Sequence, residues 1–150
     1  MTKIFIYGNL YNKYYLTPCI VGYKIRRNKV LESNKRAFLH SSQFDDLWTK
    51  LGLNDDDLRK LQNLIIKNPS SGRLIRGTGG FRKIRFGSEG SGKRGGFRVI
   101  YMDLSAYSFV YLLMVYKKTE KATISDEERK ALRSISKATI DVFRKREVQW

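Results

Sequence analysis

The strongest pattern in the chain starts at residue 36. Residues 36–40 (Arg-Ala-Phe-Leu-His) read as a short strand, and Ser41-Ser42 then open a helical repeat. Phe44, Leu47, Trp48 and Leu51 recur at steps of three and four, which predicts one apolar helix face ending at Gly52. Asn54 stands as the cap of a second helix, with Asp55, Asp56 and Asp57 in its positive first turn. Leu58, Leu61, Leu64 and Ile65 form its predicted buried stripe, and Asn68-Pro69 ends it. The period then changes to two. Residues 81–86 lie between glycine clusters, and residues 97–104 and 109–116 are rich in Val, Ile, Tyr and Phe with a turn between them. A last helix opens on the capping box Ser125-x-x-Glu128 and carries Leu132, Ile135, Ile140 and Phe143 on one side. The order is β-α-α-β-β-β-α. Consecutive strands with short links predict an antiparallel sheet with helices packed on it, an α+β fold.

Residues 1–34 follow no such pattern. They contain five of the nine tyrosines and no helix signature, although residues 3–7 and 19–25 have strand composition. They form an N-terminal extension, and residues 35–150 form the domain. A start at Val30 or Leu31 from a non-AUG codon would make the first thirty-odd residues upstream sequence.

Charge changes the picture more than hydropathy does. Thirty Lys and Arg stand against fourteen Asp and Glu, a net +16. Such an excess calls for a polyanionic partner. It is concentrated between Arg73 and Arg98, where eight basic residues accompany one acid, and nine of the twelve glycines fall between Gly72 and Gly96. Cations interleaved with glycine suit a close approach to phosphate. In the strand at 81–86, alternation puts Ile84 and Phe86 on one face and Lys83 and Arg85 on the other. That is the pattern of a half-buried strand lining a polyanion groove.

The candidate chemistry is narrow. One cysteine (Cys19) and one histidine (His40) exclude a disulfide framework and a Cys/His zinc site. Asp55-Asp56-Asp57 lacks the alternation of a calcium loop and is taken up by a helix start. Gly90-Ser91-Gly92-Lys93 lacks the spacing and context of a phosphate-binding loop. His40, Ser41 and Ser42 are adjacent, but no orienting acid is in register for a hydrolase. No metal or cofactor is expected. No apolar run is long enough to span a membrane, and the expected compartment is the cytoplasm. Basic residues can still cleave RNA, which brings its own nucleophile in the 2′-hydroxyl. Arginine and lysine would stabilise the charge growing on the phosphorane. A lysine crowded by cations, such as Lys83 between Arg82 and Arg85, has its pKa lowered toward a proton-accepting role. A purely binding role is also compatible with these residues.

Three segments also carry a family likeness. They are Gly77-Thr-Gly-Gly-Phe-Arg-Lys-Ile-Arg85, Gly90-Ser-Gly-Lys-Arg-Gly-Gly-Phe-Arg-Val-Ile-Tyr101 and Tyr111-Leu-Leu-Met-Val-Tyr-Lys-Lys-Thr-Glu120. Together with residues 124–132 they closely resemble RelE-type toxins of the HigB-like branch, over about residues 36–145. The resemblance implies a toxin of a bacterial toxin–antitoxin pair that enters the 30S A site of the ribosome and cleaves mRNA there without a metal. It implies 2′-hydroxyl attack leaving a 2′,3′-cyclic phosphate. Carried over by position, Lys83 becomes the general base, Arg85 and Arg98 the phosphate clamps and Lys118 a stabiliser of the leaving group or of the transition state. Arg76, Arg82, Lys93, Arg94 and Lys117 are the expected contacts to RNA and ribosome. The implied partner is a small cognate antitoxin, with a helix-turn-helix part expected. The sequence departs from the family pattern at Lys117 and Thr119, where many relatives have a small residue and Asn or Ser. Alternatives are a gyrase inhibitor on the same scaffold, as in the ParE branch, and a non-catalytic RNA- or ribosome-binding module.

Overall fold

A computed structural model describes residues 2–6, 14–16, 36–87, 96–121 and 123–147. Its elements are β1 (Thr2–Ile6), β2 (Tyr14–Leu16), β3 (Ala37–His40), α1 (Ser42–Lys50), α2 (Asp55–Lys67), β4 (Arg73–Leu74), β5 (Phe81–Phe86), β6 (Phe97–Leu104), β7 (Phe109–Lys117) and α3 (Asp126–Glu147). The fold is α+β, as the periodicity predicts. Among the described residues, seven strands form one sheet in the order β2-β1-β3-β7-β6-β5-β4. The short links between β4, β5, β6 and β7 make those pairs antiparallel. The sheet is nevertheless mixed, because β3 lies parallel to β7. No hairpin constrains β3, which is separated from β4 by two helices. The strand expected at residues 3–7 is β1, which pairs antiparallel along the whole of β3. The one expected at 19–25 lies outside the described residues.

Local chemistry accounts for the helix ends. Ser41 Oγ accepts from the Phe44 amide at 2.9 Å and caps α1. Asn54 and Asp57 exchange side-chain and backbone bonds in a complete capping box at α2, and Ser125 and Glu128 do the same before α3. Asp57 is thus buried in a capping role.

The sheet separates two cores. On one side α1 and α2 press Phe44, Trp48, Leu58, Leu61 and Ile65 against Phe38, Ile84, Phe86, Val99 and Tyr101. On the other, Leu132 and Phe143 of α3 meet Leu39, Phe81, Ile100, Met102 and Tyr116. Leu64, expected in the buried stripe, is 39% exposed, and Gln62 takes its place inside. Positions 58, 61, 62 and 65 define the buried arc, and residue 64 falls on its flank.

Candidate RNA-binding face

The candidate face is the α3 side of the sheet, and strand register assembles it. In β5, Phe81 packs toward α3 while Ile84 and Phe86 pack toward α1 and α2. Alternation therefore puts Lys83 and Arg85 on the α3 side, as the sequence predicts. Arg85 pairs directly across β6 with Arg98, and Arg98 pairs across β7 with Tyr116. Directly paired residues share a face with Cβ atoms about 4.5–5.5 Å apart. Lys83, Arg85 and Arg98 thus stand together at the end of the sheet. Exposure rises along this face, from Phe81 at 0% to an exposed Arg85. The apolar half of the face is roofed by α3, and in the cationic half Arg85 is exposed while Lys83 and Arg98 are half-buried. Asp103, the one acid in β4–β7, is on the other side, where its Oδ1 lies 2.6 Å from Arg36 Nη1. Burial raises the Asp103 carboxyl above its usual range, outweighing the lowering by Arg36 and Arg82.

Tyr116 escapes the sequence reading. Simple alternation from Phe109 would place it on the α1/α2 side. Between Ile100 and Tyr101 the register shifts, and their partners are Met114 and Leu112, so Leu113 is an extra residue. The bulge inverts the parity of the rest of β7 and re-aims Tyr116 beside Arg98. Burial raises the Tyr116 hydroxyl above its ordinary value, and Arg98 offsets part of the rise.

The other expected residues are dispersed. Lys117 pairs with Phe97 and so sits on the opposite face, exposed. Lys118 is exposed just past β7, its backbone amide donating to Gly96 O at 3.1 Å. Arg76 is exposed, and its carbonyl accepts from Arg129. Arg82 faces away from Lys83 and donates to Gly72 O at 2.9 Å and Ser70 O at 3.3 Å. It cannot crowd Lys83 in the way sequence adjacency suggests. Lys93 and Arg94 lie outside the described residues.

An orienting acid for His40, expected to be missing, is present: Nδ1 donates toward Asp45 Oδ1 at 3.1 Å. His40 is fully buried, however, and Ser41 Oγ both caps α1 and donates to Leu113 O at 2.5 Å. These residues lock a strand-to-helix junction. Among the described residues no three His, Cys, Asp or Glu side chains gather as metal ligands. No described helix is long and apolar enough to cross a membrane.

A small α+β domain with an open cationic sheet face is the class of protein defined so far. Residues 36–148 match the sequence model of a family described as the RelE toxin of the RelE / RelB toxin–antitoxin system. The match spans most of the chain, and the chain belongs to the RelE toxin family. It is the toxin of a toxin–antitoxin pair, so an antitoxin is its partner.

Proposed function

We propose that this toxin is an endoribonuclease of the HigB-like branch that cleaves mRNA in the ribosomal A site. The observation that carries the reading is the directly paired Arg85 and Arg98 with Lys83 on the same face. Like charges directly opposite each other cost stability, so the pair is costly until an anion lies between them. A phosphodiester fills that need. The RNA 2′-hydroxyl attacks its own 3′-phosphate; the O–P bond forms as the bond to the 5′-oxygen breaks. The products are a 2′,3′-cyclic phosphate and a 5′-hydroxyl. Lys83, as the free amine, takes the hydroxyl proton, Arg85 and Arg98 hold the non-bridging oxygens, and Lys118, past the strand end, stabilises the leaving oxygen as it takes up a proton from water. Exposed Arg76 and Lys117, with Lys93 and Arg94, supply longer-range attraction to RNA.

Each clamp acts on charge that grows in the transition state. Losing one such donor typically costs about 10²–10³ in rate. Arg85→Ala and Arg98→Ala are expected to lose cleavage by that factor while still binding ribosomes. Primer extension on a message translated in a cell-free system reads the outcome. Cuts inside codons that persist at full rate in both variants would overturn the assignment. DNA damage without cuts would identify a gyrase inhibitor, and a stall with neither would identify a binding module.

A further inference from the structure

We infer that Arg73, on β4, holds the phosphate next to the scissile one, so that the RNA track extends across the sheet to its β4 edge. The inference rests on the RNA-cleaving reading above and adds a residue which that reading does not use. β4 pairs with β5 so that Arg73 lies directly opposite Lys83. This is a second like-charged cross-strand pair, beside Arg85–Arg98 on the same face. Two residues along a strand advance about 6.6 Å. That offset is comparable to one nucleotide step, so Arg73 can seat the phosphate next to the one held by Arg85 and Arg98.

The position of Arg73 is built by its neighbours. Tyr101, fully buried, donates from its hydroxyl to Pro69 O at 2.8 Å and accepts from the Gly72 amide at 3.0 Å. Arg82 holds the Ser70 and Gly72 carbonyls from the same side. At Gly72 a Cβ would stand 2.7 Å from the Tyr101 ring, so only glycine lets the chain run this close before turning into Arg73. Four side-chain bonds to the Pro69–Gly72 backbone thus hold a strand of only two residues against β5. Arg73 itself is exposed, and among the described residues no acid pairs with it.

The test is binding of a short 2′-O-methyl RNA strand, which lacks the nucleophile, to the full chain over a salt series. Removing one phosphate contact should flatten the slope of log K against log salt by about 0.7. Arg73→Ala should do so, weaken binding about tenfold at low salt, and act equally on unrelated sequences. Arg73→Lys should restore most of the slope, and Arg59→Ala, on the outer side of α2, should leave it unchanged. If Arg85→Ala weakens binding but Arg73→Ala changes neither affinity nor slope, the inference falls and the cleavage reading stands. If the wild type does not bind this strand even at low salt, the inference falls, while the cleavage reading is decided separately by the primer-extension assay.

Discussion

At the scale of single residues, the proposed function and stability pull in opposite directions on the cationic face. Arg85 and Arg98 stand opposite each other, and among the described residues no acid pairs with either. Arg85→Ala is therefore expected to leave the melting temperature unchanged or raised while it removes cleavage, and a thermal melt beside the activity assay checks both. A fall of several degrees would show the arginine holding the fold. Tyr111 and Tyr116 give a pH dependence of known sign. Burial raises both hydroxyls above the ordinary tyrosine value, so the folded chain keeps protons that the unfolded chain has lost. Their contribution to stability is complete below about pH 10 and lost as pH rises through the folded-state values. Tyr116→Phe should move the midpoint of alkaline unfolding, followed by circular dichroism, to higher pH. An unchanged midpoint would contradict this. Residue identities along β5 and β6 were legible because alternation runs unbroken there. Tyr116 was hidden by one bulged residue, and Arg73 by a pairing that no local pattern encodes.

At the scale of elements, the glycine cluster of the family motif gains a mechanical reason. Gly77 and Gly79 both have positive φ, 80° and 76°, but their surroundings differ. Around Gly77 there is open space, whereas a Cβ on Gly79 would stand 2.7 Å from Ser136 Oγ, which donates to Gly79 O. Through that contact α3 is seated against the start of β5. Each substitution is expected to cost about 1–3 kcal/mol for the left-handed backbone, with Gly79→Ala losing more because Ser136 must also move. Urea unfolding of the two variants checks the order, and equal losses would remove the seating role. The hairpin of β1 and β2 is a different case. The side chains of Phe38 and Leu39 are buried among β7, the helices and the rest of the domain. A chain beginning at Val30 is expected to fold and remain toxic, but with the outer edge of β3 bare. Light scattering should then show concentration-dependent association absent from the full chain. Element positions were legible because each boundary has its own local chemistry: caps, Gly52, Asn68-Pro69. The parallel β3–β7 pairing was not, since it joins segments with no shared local signal.

At the scale of the whole molecule, the charge is distributed unevenly. α1 and α2 carry Asp45, Asp46, Asp55, Asp56 and Asp57 against Lys50, Arg59, Lys60 and Lys67, close to balance. The basic excess lies elsewhere, including the open sheet face with Arg73, Lys83, Arg85 and Arg98. An antitoxin that masks such a toxin is best matched by an acidic or amphipathic segment laid over that face. A small reading frame adjoining this gene is expected to encode it. Co-expression of that frame should restore growth, and continued toxicity with every flanking frame supplied would count against the prediction.

The parallel contact of β3 with β7 also governs when the toxin can exist at all. Ser41, at the end of β3, bonds to Leu113 across 72 residues of chain, so the centre of the sheet closes only after nearly the whole domain has been made. During synthesis β3 has β1 to pair with, but its inner neighbour β7 is still unmade or inside the exit tunnel. Long-range pairings of this kind form late because loop closure must precede them. A nascent chain stopped near residue 105 should be protease-sensitive throughout, whereas a full-length chain held on a long tether should resist. The cell that makes this protein is thereby spared a folded toxin until synthesis is nearly finished.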